Sequence, residues 1–291
     1  MLLFLSNILQ VILVSNSIKN FNRFRYYLTQ LEPSNIVNLH YNLIFMLFFK
    51  KKEIPLTEFF PTNFIDIHSH LLPGIDDGAK DIEQSVALIQ KMASYGIKNF
   101  ITTPHVLGDV YPNSSETILK KLEEVRAALK DQGLADIKIN AAAEYMMDEQ
   151  FSALLEKDDI LTLKDNYILV EMSYFSPPLN LFDILFQIQL KGYKPVLAHP
   201  ERYNSYHNNF EIYYKLKKAG CLFQLNLLSL TPQYGDSVTK TADRLLKENL
   251  YDFVGTDTHH KNHLHLLKSI STKKNFKKIN QLLENNLKFL E

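Results

Sequence analysis

The chain has 291 residues, 46% hydrophobic and 22% charged, and its 32 Lys and Arg balance 32 Asp and Glu. That is the composition of a globular protein, and with no basic excess it presents no electrostatic footprint for nucleic acid. A single cysteine, Cys221, excludes a disulfide framework and a cysteine-rich zinc site and fits a reducing, cytoplasmic setting.

Residues 1–45 contain no glycine, and Asn7, Gln10, Ser15 and Asn16 interrupt their apolar residues, so neither helical nor strand period emerges. The apolar stretch 2–14 is too short and too polar for a membrane span, which takes about 20 apolar residues. No Lys or Arg precedes Lys19, so the basic n-region of a secretory signal is missing. Residues 1–60 are expected to form an N-terminal extension. Its first 45 residues are either translated from a start upstream of Met46 or serve as a weak targeting or anchoring segment. The fold is expected to begin near Pro61, with 61–291 as one domain and no stable membrane insertion.

From residue 64 a unit recurs: a short apolar run, a polar loop, then apolar residues at helical spacing. The runs are 64–67, 100–103, 137–141, 167–170, 195–198, 221–225 and 253–255. The helical faces are Ile82, Val86, Ile89, Ala93; Ile118, Leu122, Val125, Leu129; Leu181, Leu185, Ile188; Ile212, Leu216, Ala219; and Val238, Ala242, Leu245. Asp81 followed three residues later by Gln84 reads as a capping box, and Gly96 as a helix stop. Strands alternating with helices imply parallel pairing through right-handed crossovers. The expected fold is α/β, a distorted (β/α)7 TIM-like barrel in a single domain.

The residues that end each run carry the chemistry. In order they are His68 and His70; His105; Glu144; Glu171; His199; Asn226; and Asp257 with His259. A barrel gathers its strand C-termini on one face, so these side chains are expected to meet. His68 and His70, like Asp257 and His259, are spaced i, i+2, which places both members on one face of an extended segment. Imidazole with carboxylate suits Zn²⁺, Mn²⁺ or Fe²⁺. His40, His207, His260, His263 and His265 are read as solvated, and residues 106–112, with Gly108 and Tyr111, as the pocket rim.

Asp66-Ile-His68-Ser-His70-Leu-Leu-Pro-Gly-Ile-Asp-Asp77-Gly78, Thr103-Pro-His105, Ala198-His-Pro-Glu-Arg-Tyr203 and Gly255-Thr-Asp-Thr-His259 resemble the PHP (polymerase and histidinol phosphatase) superfamily. More narrowly they resemble its bacterial protein-tyrosine phosphatases of capsule and exopolysaccharide assembly. The resemblance implies three divalent metal ions, manganese first with iron(II) or zinc as alternatives. It places the first on His68, His70, Glu144 and Asp257, the second on Glu144, Glu171 and His199, and the third on Asp77, His105 and His259. Arg202 corresponds to a phosphate-binding arginine, and Arg202, His199 and Asp257 are the expected catalytic residues. The family pattern has a further arginine after the Asp-x-His pair. No arginine follows Arg244 here, which leaves His260, Lys261 or His263 at that place.

The implied activity is metal-dependent hydrolysis of phosphotyrosine without a phosphoenzyme; the implied partner is an exopolysaccharide or capsule tyrosine autokinase. The alternatives are a small-molecule phosphatase of the histidinol-phosphate type and a non-catalytic, metal-stabilised scaffold that binds the kinase. Oligomeric state is left open. Cysteine-based phosphatase chemistry is set aside, because an arginine is needed six residues after the thiolate and Leu227 stands there.

Overall fold

The computed structural model describes residues 54–271 and 275–290. The expectations for residues 1–45 and Met46 lie outside them. Among the described residues the strands are β1 (Ile65–Asp66), β2 (Asn99–Thr102), β3 (His105–Val106), β4 (Lys138–Ala141), β5 (Glu144–Met146), β6 (Tyr167–Glu171), β7 (Lys194–Ala198), β8 (Leu222–Asn226) and β9 (Phe253–Gly255). The helices are α1 (Ile82–Ala93), α2 (Ser115–Asp131), α3 (Glu149–Glu156), α4 (Leu181–Leu190), α5 (Glu211–Lys218), α6 (Asp236–Lys247), α7 (Lys261–Ser269) and α8 (Phe276–Asn285).

All pairings are parallel: β1-β2-β4 form one sheet and β3-β5-β6-β7-β8-β9 the other. The split between them is local. Pro104 has no N–H to give a ladder, and β2 resumes after it as β3; β4 resumes after Ala142 and Ala143 as β5. Each pair is one run bent in the middle, so the seven expected runs are present.

The seam between β1 and β9 closes in two ways. Toward the strand C-termini the backbone does it, through a parallel bridge between Ser69 and Thr258, with hydrogen bonds from the His70 N–H to the Thr258 carbonyl (2.9 Å) and from the Asp257 N–H to the His68 carbonyl (2.8 Å). Lower down, side chains substitute for the missing ladder. The Asn286 amide donates to the carbonyls of Ile65 (3.0 Å) and Val254 (2.8 Å) and accepts from the Val254 N–H (3.1 Å). Asp66 accepts from the Thr256 N–H and hydroxyl at 2.9 and 2.7 Å. Burial pushes the Asp66 pKa up to about 6 against those hydrogen bonds.

Inside the barrel Ile65, Ile67, Ile101, Ala142, Leu169, Val196 and Phe253 pack together, with Phe289 beneath. Alternate residues of a strand share a face, so two positions above Ala142, Leu169 and Leu222 stand Glu144, Glu171 and Gln224. The interior therefore changes from apolar to polar at the C-terminal ends. Outside, helices bury the expected stripes. In α1 the Asp81 carboxylate caps the Gln84 N–H at 2.8 Å, and the chain leaves through Gly96 at φ 92°.

The packed structure begins earlier than Pro61. Leu56 is 1% exposed within the core, its N–H bonds to the Ile270 carbonyl at 2.9 Å, and Phe59 meets Phe276 edge-on. A short apolar segment bracketed by Pro55 and Pro61 carries no period to announce this. Leu56→Ala is expected to cost about 2–5 kcal/mol in urea unfolding; a cost below about 0.5 kcal/mol would show that the segment contributes nothing.

Candidate active site

The barrel mouth opens into a cavity of about 800 Å³ whose lining includes Asp77, His105, Glu171, His199, Arg202, Asp257 and His259. His68, His70 and Glu144 lie beneath, fully buried. His105 and Glu144 open β3 and β5, and the other side chains arrive from a strand end or the loop after it. Two need unusual backbone: His199 (φ 36°) and Asp257 (φ 50°) are left-handed although neither is glycine, a conformation that costs about 1–3 kcal/mol and persists where surrounding contacts enforce it. Gly255 has the opposite requirement. A Cβ there would lie 2.5 Å from the His68 Cβ and 2.8 Å from the Gln224 Nε2, so the bare backbone is what lets His68 and Gln224 meet beside β9.

Glu144 is the hub. Its Oε2 lies 3.2 Å from the His68 Nε2, 3.4 Å from the His70 Nε2 and 3.2 Å from the His105 Nδ1, while its Oε1 lies 2.9 Å from the His199 Nε2. The Asp257 Oδ1 is 3.4 Å from His68, His70 and His259. Asp77 is 3.5 Å from His105 and 3.3 Å from His259, and Glu171 is 2.9 Å from His105. Four groups have ligand atoms mutually within 4.8 Å: His70 with Asp77, His105 and His259; His68 with Glu144 and His199; His68 with His70 and Asp257; His105 with Glu144 and Glu171. These groupings differ in part from the allocation the resemblance implies, since His70 also lies with the Asp77 group and His199 and Glu171 approach Glu144 from different sides.

The donor set fits divalent cations. Ligands on one ion with bonds of about 2.1 Å stand about 3.0–3.4 Å apart, close to the separations around Glu144 Oε2. That atom, His105 Nδ1 and His199 Nδ1 are buried without a hydrogen-bond partner, which is costly unless something else satisfies them. Charge points the same way. Burial favours neutral forms, yet His68, His105 and other cationic partners hold the Glu144 carboxyl well below its usual range, as His68 and His259 do for Asp257. Glu171 moves up, from burial and the adjacent Glu144 charge. Burial and Arg202 push His199 down to about 4, leaving a neutral imidazole.

A second layer orients these groups. The Gln224 Oε1 accepts from the His68 Nδ1 at 2.7 Å, and Asp76 Oδ2 lies 2.8 Å from the His70 Nδ1, so both imidazoles turn Nε2 toward Glu144. The Asp257 Oδ2 accepts from Asn226 (2.6 Å) and Arg202 (2.9 Å), which leaves Oδ1 for the histidines. The Arg202 guanidinium lies between the rings of Tyr174 (4.6 Å) and Tyr234 (4.2 Å). Neighbouring Glu201 points away and is buried, accepting from the Asn226 N–H and the Tyr251 hydroxyl.

Residues 64–287 match the capsular polysaccharide synthesis CpsB/CapC family. The chain belongs to that family. It is 32% identical over 196 residues to the tyrosine-protein phosphatase YwqE of Bacillus subtilis, covering 67% of this chain and 77% of YwqE. It is 31% identical over 201 residues to the tyrosine-protein phosphatase CpsB of Streptococcus pneumoniae, covering 67% of this chain and 82% of CpsB. A chain from the crystal structures of YwqE from B. subtilis and CpsB from S. pneumoniae, described as unique metal-dependent tyrosine phosphatases, superposes with a TM-score of 0.71 at 29% identity, covering 78% of this chain and 94% of that one.

One expectation about the histidines needs correction. His263, read as solvated, is buried, with its Nδ1 3.3 Å from the His259 N–H nitrogen and 3.2 Å from the Asp257 carbonyl oxygen. It stands four residues after His259 in the first turn of α7, a proximity visible only once that helix is recognised. His260 and His265 are exposed, and His260 borders the cavity. Lys261 faces a neighbouring hollow with Asp77 and Lys80. Cys221 is buried, and burial pushes its thiol up to about 12, in keeping with inert packing.

Proposed function

We propose that this chain is a metal-dependent protein-tyrosine phosphatase acting on a tyrosine autokinase of capsule or exopolysaccharide assembly. The observation that carries this is the convergence of His68, His70, His105, His199, His259, Asp77, Glu144, Glu171 and Asp257 beside a single guanidinium at an open mouth, in a chain related to YwqE and CpsB. We assign the metal centre to those nine residues, with three ions, manganese first, and the protein to the cytoplasm. No described helix is long and apolar enough to cross a membrane.

Bound divalent ions supply Lewis acidity, local positive charge and water of lowered pKa for in-line displacement at phosphorus. The chain's own residues do the rest. Glu144 and Asp257 each gather several imidazoles, and Gln224 and Asp76 hold two of those rings by their far nitrogens. Arg202 keeps its charge, because Tyr174 and Asp257 offset the opposing effect of burial. With Nη1 on Asp257 and its faces against two tyrosines, its remaining N–H edge can bind phosphoryl oxygens.

Metal analysis of the purified protein, with hydrolysis of a phosphotyrosyl peptide before and after chelation, tests this reading. Turnover that stops on chelation and returns with divalent ion is expected; turnover indifferent to chelation would exclude the assigned centre. Gln224→Leu is expected to weaken metal retention by about 10–100-fold in competition with a chelator, because the His68 ring loses the acceptor that fixes it.

A further inference from the structure

The loop 173–180 between β6 and α4 reads Ser-Tyr-Phe-Ser-Pro-Pro-Leu-Asn and carries no charge. Phe175 is 97% exposed and Leu179 fully exposed. Pro177 and Pro178 restrict the backbone between them. Apolar exposure continues onto α4, where Phe182 and Phe186 are 43% and 59% exposed; at i, i+4 they share one face. Leu181, Ile184, Leu185 and Ile188 already bury the other face. Single exposed apolar residues are ordinary, but a contiguous patch marks a binding surface.

The same loop walls the cavity that holds His199 and Arg202. We propose that it is a docking ledge for residues flanking the phosphotyrosine, and that it takes aliphatic or aromatic side chains of an extended peptide. This rests on the phosphatase reading above. The occupant follows from continuity: an extended chain advances about 3.3 Å per residue, so a peptide whose phosphotyrosine enters the cavity lays its near neighbours on the rim. An uncharged ledge also disfavours charged neighbours, which would lose water without gaining a partner.

The test uses p-nitrophenyl phosphate and two phosphotyrosyl peptides, one flanked by Leu and Phe, the other by Ser and Gly. Wild-type protein is expected to show a KM about tenfold lower for the apolar peptide. The double variant Phe175→Ser, Leu179→Ser should erase that preference by raising KM at unchanged kcat, with p-nitrophenyl phosphate kinetics unaltered. The ledge is overturned if the variant keeps the preference, or loses p-nitrophenyl phosphate turnover equally. It is also overturned if peptide KM stays constant while sedimentation becomes less dependent on protein concentration, which would make the patch a contact between copies. Wild-type protein that hydrolyses all three without preference overturns the ledge alone; failure on all three overturns the phosphatase reading as well.

Discussion

Glu144→Gln is expected to lower turnover of a phosphotyrosyl peptide by roughly a thousandfold and to reduce the divalent metal retained after purification. The change preserves size and removes one negative charge from the point where four imidazole nitrogens lie within 3.4 Å. An amide offers a single acceptor oxygen where the carboxylate uses both. Its NH2 would face imidazole nitrogens instead of accepting from or coordinating with them. If Glu144 merely neutralised nearby histidines, the variant would unfold more easily but retain its rate and its metal. Kinetics, metal content and urea unfolding on one preparation separate these outcomes, and wild-type turnover at wild-type metal content would remove Glu144 from the centre.

The barrel was legible because its strands are buried on both faces and read as short continuous apolar runs. What lies outside that pattern was not. Strands β3 and β5 resume after breaks too brief to alter the hydrophobic pattern, and Glu144, read as the residue after a run, opens β5. Helices α3, α7 and α8 had no place in the expected series. Strand-end position nominated eight of the nine candidate ligands, the family resemblance added Asp77, and the structure gathers all nine around one mouth. The residues that aim them were hidden for separate reasons. Gln224 sits inside an apolar run whose inward face turns polar only at the barrel mouth. Asp76 and Asp77 are adjacent, and only the turn geometry sends one to the His70 Nδ1 and the other toward His105 and His259. Tyr174 and Tyr234 come from separate loops whose approach to Arg202 depends on tertiary structure alone.

Arg202→Lys is expected to fold and to retain most of its metal, yet to lose roughly a hundred- to a thousandfold in rate, the ~2.7–4 kcal/mol typical of one well-placed charge-assisted donor lost from a transition state. The geometry sharpens the reason. A guanidinium is flat, so Tyr174 and Tyr234 can stack on it while Asp257 takes one edge, and its other N–H groups are left for phosphate. A lysine ammonium can keep the charge near Asp257, but it has no plane for the rings to hold and no second edge for phosphate. Were Arg202 only an ion-pair partner on the surface, the exchange would cost ~0–1 kcal/mol, and turnover would stay near that of wild type. The contact with Asp257 adds a complication that metal analysis resolves: a rate loss matched by metal loss would place the effect on the centre, whereas full metal content with a low rate would place it on phosphate. Tyr234→Phe preserves the ring over the guanidinium and should stay within about threefold of wild type, because the expected effect lies in the stacking. Tyr234→Ala removes that face and should move the enzyme part of the way toward Arg202→Lys. Wild-type activity in Arg202→Lys would exclude a bidentate role for this arginine.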